Sequence, residues 1–73
     1  MNNKINMIKI KEDCMMKIHM IINVQLRFIE LAKADKISLD EFEYMYDRLE
    51  QCKSTFIEMK KACDNTIKQY SIA

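Results

Sequence analysis

The clearest structural signal lies between Ile37 and Tyr70, which read ISLDEFEYMYDRLEQCKSTFIEMKKACDNTIKQY. Apolar side chains recur there in alternating steps of three and four residues. Because 3.6 residues make one turn of an α-helix, such steps keep side chains on one face. The pattern predicts a long helix whose apolar seam, interrupted only by Thr66, is formed by Phe42, Met45, Leu49, Cys52, Phe56, Met59, Cys63, Thr66 and Tyr70.

The start of this helix is also marked in the sequence. Ser38 fits the N-cap position, and Glu41 three residues later completes the pattern of a capping box. Ile37 and Phe42 occupy the two positions of a hydrophobic staple. These signals predict a helix over residues 39–70 that begins directly after Ser38.

Length and composition favour a small all-α protein. The 73 residues include no glycine and no proline, which tight hairpins and left-handed turns normally require. We therefore expect a single domain over residues 1–73, an antiparallel, coiled-coil-like hairpin with a helix at 12–34, a turn at 35–38 and a helix at 39–70. At this length a single core rarely supplies more than roughly 3–5 kcal/mol, so self-association or partner binding should complete it.

Residues 1–11 and 22–28 leave alternatives open. The mixture of isoleucine and lysine in residues 1–11 fits a frayed helical turn, a short strand or a flexible arm. Residues 22–28 alternate apolar and polar side chains, as a half-buried strand does. No turn residues bound residues 22–28, and helical spacing continues beyond them, so we favour a helix there.

The first predicted helix is apolar over much more than half of its circumference. One neighbouring helix covers an apolar stripe of roughly 100° or a little more, so a surplus should remain for a second copy or a target protein. We expect Ile18, Ile22 and Ile29, with the Phe42–Tyr70 seam, to hold the hairpin together. The candidate partner-binding residues are Met20, Val24, Phe28 and Leu31, with Tyr44 as an aromatic anchor.

The sequence indicates neither an enzyme nor a metal or cofactor site. It has no glycine-rich phosphate loop and no nucleophile plausibly adjacent to a histidine. The single histidine, His19, lies on the polar stripe away from Cys14, and Cys52 and Cys63 lie three turns apart on one helix, so they cannot share a zinc ion. We expect reduced, buried cysteines, while a Cys14–Cys63 disulfide remains geometrically conceivable.

The formal net charge of +1 offers no broad surface for nucleic acid. Residues 15–32 contain too many polar groups for a membrane span. We expect a cytoplasmic protein or one delivered to a host cytoplasm, and a signal peptide removed earlier is compatible with the sequence.

The two ends of the predicted hairpin differ in charge. Two hairpins placed head to tail would bring opposite charges together, although solvated charges that follow the helix dipoles explain the same pattern. The turn end contains Asp40, Glu41, Glu43, Asp47 and Glu50, and the open end contains Lys4, Lys9, Lys11, Lys60, Lys61 and Lys68.

Three groups of residues resemble the Hha-type nucleoid modulators, which are helical proteins of nearly this length. The groups are residues 13–18, residues 27–30, and Ser38 with Glu41, Phe42, Met45 and Tyr46. Gaps separate the matching groups, and the C-terminal proline and tryptophan of that family have no counterpart here. The resemblance implies a nucleoid or transcription modulator that acts with a DNA-binding partner.

The sequence as a whole favours a non-enzymatic protein-binding module. We expect a small effector, inhibitor or regulator that docks an apolar helical face on a target protein, itself helical, in the helix-in-groove manner. A homodimer is a further expected partner state. The alternatives are the Hha-like modulator and a purely structural homo-oligomer.

Overall fold

The computed structural model describes the backbone of residues 2–72 and the side chains of residues 3–70. It contains two helices, α1 (Asn2–Lys33) and α2 (Leu39–Ile72), packed against each other as a hairpin. No strand occurs within residues 2–72. The predicted all-α helical hairpin is therefore confirmed.

The segments that the sequence left open are both helical. Residues 2–11 form the first turns of α1 without a break, and residues 22–28 belong to the same helix. Met1 lies outside the described residues. The alternation of apolar and polar side chains in residues 22–28 therefore belongs to a helix that has apolar side chains on several sides.

The turn between the helices is a Schellman motif. Lys36 N–H donates to the Leu31 carbonyl at 2.9 Å, and Asp35 N–H donates to the Ala32 carbonyl at 3.1 Å. Asp35 has a φ of 57°, the left-handed conformation that glycine usually supplies at this position. In this glycine-free chain an aspartate fills the position, since Asp and Asn tolerate it better than other residues.

Ser38 caps α2 as predicted. Its hydroxyl oxygen accepts from the Glu41 N–H at 3.1 Å, and the hydroxyl lies 3.1 Å from a carboxylate oxygen of Glu41, to which it donates. The two residues of the staple, Ile37 and Phe42, are half-buried. The sequence signals at this end therefore fix the first residue of the helix.

The interior of the hairpin is thin. The molecule measures 55 × 14 × 14 Å, and its radius of gyration is 16.5 Å, whereas a compact chain of this length has about 11 Å. Among the described side chains, only Cys14, Gln25 and Cys63 are buried. The stripe of α1 that faces α2, here called the inner seam, consists of Lys4, Met7, Lys11, Cys14, Ile18, Ile21, Gln25, Phe28 and Ala32.

The face that α2 turns toward α1 differs from the predicted seam. Phe42, Leu49, Phe56 and Cys63 are half-buried or buried, as expected. Met45, Cys52, Met59 and Tyr70 are exposed instead, and so is Ile22 of α1, which was expected to hold the hairpin. The side chains of α2 that line the interface are Phe42, Tyr46, Leu49, Lys53, Phe56, Lys60, Cys63 and Ile67.

Two polar clusters explain this rotation of α2. Gln25, only 3% exposed, donates to Glu50 at 2.8 Å and accepts from Lys53 at 3.3 Å. Lys53 also pairs with Glu50 at 2.6 Å. Turning Met45 and Cys52 inward would move Glu50 away from Gln25 and leave a buried amide without partners, which costs about 1–3 kcal/mol.

The second cluster joins the open half of the hairpin. Lys11 pairs with Asp64 at 2.6 Å, and Lys60 lies 3.4 Å from the same carboxylate. The hydrogen bond from Lys11 is the largest effect on the pKa of Asp64 and lowers it, while the bond from Lys53, followed by that from Gln25, lowers the pKa of Glu50. Both clusters therefore favour ionised carboxylates at the edge of the interface.

Candidate partner-binding surface

The first helix has more apolar surface than α2 covers. Of the fourteen large apolar side chains that are exposed among the described residues, nine belong to α1 and five to α2. The nine residues of α1 all lie outside the inner seam, because an α-helix that is apolar beyond one stripe presents the remaining apolar side chains to its sides. The expected apolar surplus on α1 is present as exposed surface.

One of these lateral surfaces combines both helices. Met20, Val24 and Leu31 of α1 lie on the same side of the hairpin as Met45, Cys52 and Met59 of α2, and we call these six residues the docking face. Lys11 meets Asp64 and Gln25 meets Glu50, and in both pairs the residue numbers sum to 75. The same register brings Val24 to within one residue of the level of Cys52, and Leu31 to within one residue of the level of Met45.

Charged side chains border the docking face toward both ends of the hairpin. Lys17 lies 3.0 Å from Asp13, four residues earlier on α1. Its ammonium nitrogen is also 5.3 Å from the centre of the Phe56 ring, a cation–π distance that confirms that this side of α1 borders α2. Arg27, which lies seven residues after Met20 on the same side of α1, borders the face toward the turn end.

A shallow open hollow adjoins the docking face at the turn end. Its volume is about 480 Å³, and its lining consists of Arg27, Glu30, Leu31, Ala34 and Lys36. Leu31 is the large apolar residue of this group and is shared with the docking face. The hollow therefore extends the apolar face into a polar rim, the arrangement typical of protein interfaces.

The structure brings three of the five predicted partner-binding residues together. Met20 and Val24 are exposed and Leu31 is half-buried, all on the docking face. Phe28 lies half-buried in the inner seam. As partner contacts, all of them stay predictions.

Tyr44 lies elsewhere, on the side of α2 that faces away from α1, and it is largely exposed. Arg48 donates to its hydroxyl at 2.8 Å and lies 5.5 Å from its ring centre. An arginine stacked on the ring already occupies part of the surface that an anchor residue would offer.

The thiols and the histidine belong to no candidate metal site in the described part of the chain. All three cysteines are free; Cys14 and Cys63 are buried, and Cys52 is exposed. Within residues 2–72, no three His, Cys, Asp or Glu side chains converge as metal ligands. In the same range, neither helix combines the length and the apolarity needed to cross a membrane.

Sequence reasoning missed the contribution of α2 to the docking face. Met45, Cys52 and Met59 read as core because they complete a regular apolar seam. A usable signal was present in Lys53 and Lys60, which repeat at seven residues and have acids at i−3 and i+4, in Glu50 and Asp64. Such pairs allow a lysine stem to lie in an interface while its ammonium group reaches a carboxylate at the edge.

Comparisons with known proteins assign no family to the hairpin. The chain matches no protein-family model, no curated protein and no solved structure.

Proposed function

We propose that the hairpin is a non-enzymatic protein-binding module, a small effector, inhibitor or regulator that acts by occupying an apolar surface of a target protein. The observation that carries this proposal is the docking face, an exposed apolar strip to which both helices contribute. Monomeric proteins rarely leave contiguous apolar strips uncovered unless another molecule binds there.

The geometry favours a helix as the bound element of the target. The docking face is the groove between two antiparallel helices, and a third helix packs into such a groove at an interaxial distance of about 8–10 Å. Methionine side chains at Met20, Met45 and Met59 adapt to different partner surfaces because they are unbranched and flexible. The target helix would present apolar residues at i, i+3, i+4 and i+7.

The place of action in this proposal is a reducing cytoplasm, either of the producing cell or of a host cell into which the protein is delivered. Three unpaired cysteines, one of them exposed, suit such a compartment. Disulfide exchange at Cys52 would otherwise compete with docking, because this thiol lies in the docking face.

Site-specific photocrosslinking tests the proposal. A photoreactive amino acid at Val24, in the docking face, should capture a defined protein in the cells that produce the hairpin. The same amino acid at Asn23, one residue earlier on the outward side of α1, is the matched control and should capture much less. Competition by the untagged wild-type protein should abolish the Val24 adduct.

Substitution of the same position completes the test. Val24→Asp should remove the captured protein from affinity purifications, because it places a charge in the centre of the apolar strip. The helical circular dichroism spectrum should remain unchanged, since Val24 is exposed. Capture that is equal at Val24 and Asn23, or that survives Val24→Asp, would contradict the proposed docking face.

A further inference from the structure

A second apolar seam runs along α1 on the side opposite the docking face. Its positions follow each other in steps of three and four residues, the spacing that packs one helix against another. It is displaced by one residue, or about 100° around the helix, from the inner seam. We call it the outer seam, and it consists of Ile5, Ile8, Glu12, Met15, His19, Ile22, Leu26 and Ile29.

This seam is open in the hairpin. Seven of its eight residues are exposed, and the eighth, Ile29, is half-buried. The side chains of Glu12 and His19 take part in no hydrogen bond or ion pair of the described residues. The seam therefore has helix-packing periodicity and no helix packed on it.

The surface area of the chain supports a missing partner. The hairpin exposes 5837 Å², whereas a globular monomer of 8.8 kDa exposes about 4,800 Å². The excess of about 1,000 Å² is close to the roughly 800 Å² that each partner contributes to a standard stable interface. Covering one side of the hairpin would thus bring its exposure to the level of an ordinary folded chain.

The outer seam is self-complementary when two copies of α1 run antiparallel. In the register where paired residue numbers sum to 34, Ile5 packs against Ile29 of the second copy, and Ile8 packs against Leu26. In the same register Glu12 lies opposite Ile22 of the second copy and His19 lies opposite Met15, so that Glu12 is one layer from His19 of the other chain. A shift by one heptad would add a second mismatch, because it places Lys33 against Ile8 and still leaves Glu12 against an apolar residue, Ile29.

The same arrangement also matches charges on α2. The twofold axis passes α1 at position 17. The register of the Lys11–Asp64 and Gln25–Glu50 pairs places position 58 of α2 at the same height. Asp47 then comes to within one residue of the level of Lys68 of the second copy, on the side of α2 that borders the outer seam. Neither residue has an ion-pair partner among the described residues of its own chain.

We propose that the outer seam of α1 binds a second copy of this chain, with the two hairpins antiparallel and the four helices forming one bundle. The contact is α1 against α1 and α2 against α2 across a twofold axis perpendicular to the helices. Four-helix bundles with this packing are common and stable. The docking face lies on the other side of each hairpin, so this inference goes beyond the proposed function.

Sedimentation equilibrium of the wild type and two matched variants tests the dimer. The wild type should have twice the chain mass of 8.8 kDa. Ile22→Asp should raise the dimer dissociation constant at least about 100-fold, since it buries two charges in the apolar contact. Val24→Asp is the control, because Val24 is 41% exposed and Ile22 is 37% exposed on the same helix; it should change the constant less than about threefold.

A charge swap tests the orientation of the hairpins. Asp47→Lys should weaken the dimer about fivefold, because each of two symmetric pairs is lost at the surface. Adding Lys68→Asp should restore the wild-type constant to within about twofold. Restoration is expected only if the turn end of one hairpin meets the open end of the other.

Disulfide trapping tests the register. In a Cys52→Ser background, the double variant Ile8→Cys, Leu26→Cys should form a covalent dimer on mild oxidation. The two positions are about 27 Å apart along one helix, so no bond can form within a chain. Each single variant should give no rapid crosslink, because the same residue in the two copies lies far from the symmetry axis.

A monomeric wild type at submillimolar concentration would overturn the proposal. A dimer that Val24→Asp dissociates and Ile22→Asp does not would overturn it as well, since self-association would then use the docking face. A dimer that dissociates with Ile22→Asp but gives no Ile8–Leu26 crosslink and no charge-swap rescue would refute the antiparallel arrangement.

Discussion

The inner and outer seams of α1 differ in composition in a way that their positions do not suggest. The inner seam, which packs against α2, includes Lys4, Lys11 and Gln25, whereas the outer seam has six apolar residues in eight positions. Yet Gln25 is buried, and the isoleucines of the outer seam up to Ile22 are exposed. Apolar content alone therefore does not decide which side of α1 meets α2.

Matched polar groups therefore select the packing face in this hairpin. Lys11 and Gln25 find their partners on α2, in Asp64 and in the Glu50–Lys53 pair. The side chains of the polar residues of the outer seam, Glu12 and His19, have no such partners among the described residues of α2. A polar residue in an interface commonly specifies the register of two helices at some cost in stability. Lys11 and Gln25 have this role in the inner seam.

The largest effect is expected when the same substitution, cysteine to aspartate, is made in the interior and on the docking face. Cys14→Asp should unfold the hairpin at 25 °C, because Cys14 is 2% exposed and an unpaired buried charge removes more than the roughly 3–5 kcal/mol that a core of this size supplies. Cys52→Asp, the matched control on the exposed docking face, should change the free energy of unfolding by less than about 0.5 kcal/mol. Urea titration followed by circular dichroism measures both; equal losses would contradict the assignment of Cys14 to the interior.

A smaller effect is expected from a nearly isosteric change in the inner seam. Gln25→Glu should lower the free energy of unfolding at pH 7 by about 1–3 kcal/mol, because it replaces an amide donor to Glu50 with a second carboxylate. The exposed residue Gln69 provides the control, and Gln69→Glu should be nearly neutral. Denaturant titrations at pH 7 give the comparison, and an unchanged midpoint for Gln25→Glu would show that the amide is not needed in the packing.

The turn that sets the register of the inner seam offers a gain in stability. Asp35→Gly should raise the free energy of unfolding by about 0.5 kcal/mol, because glycine adopts the left-handed conformation without a Cβ penalty. Asp35→Val should lower it by about 1–2 kcal/mol for the opposite reason. Thermal unfolding would rank the three proteins, and a destabilised Asp35→Gly variant would contradict the strained turn.

The smallest expected effect is the response of the polar clusters to acid. The pKa of Glu50 and that of Asp64 are lowered in the folded protein from ordinary values of 4.5 and 3.8. Their contribution to stability is therefore complete above about pH 5 and is lost as the pH falls through the lowered folded-state values. Unfolding titrations between pH 7 and pH 2 should show a decline that is shallower in a Glu50→Gln, Asp64→Asn double variant, and an equally steep decline there would contradict the role of these carboxylates.

The sequence predicts the hairpin because its strongest signals are local. Ser38 with Glu41 marks the start of α2. The absence of glycine and proline favours long helices over folds with many tight turns. The rotation of α2 depends instead on contacts between residues 25 and 28 positions apart, Gln25 with Glu50 and Lys53. A helical seam read along one chain does not contain that information, so Met45, Cys52 and Met59 were placed inside.

The candidate site was likewise predictable only in part. Met20, Val24 and Leu31 were predictable as uncovered residues because α1 is apolar around most of its circumference. Their neighbours on α2 were not predictable, since they depend on the rotation. Phe28 was assigned to a partner from the same arc, although the spacing of Ile21, Gln25 and Phe28 places it in the inner seam.

Thiol labelling tests the rotation of α2 most directly, and both exposed surfaces depend on that rotation. The folded protein would be treated briefly with a maleimide and analysed by mass spectrometry after proteolysis. The structure predicts rapid modification of Cys52 alone, with Cys14 and Cys63 protected until denaturant is added. Protection of Cys52 equal to that of Cys63 would show that Met45, Cys52 and Met59 face α1, and it would contradict the docking face and the inner seam together.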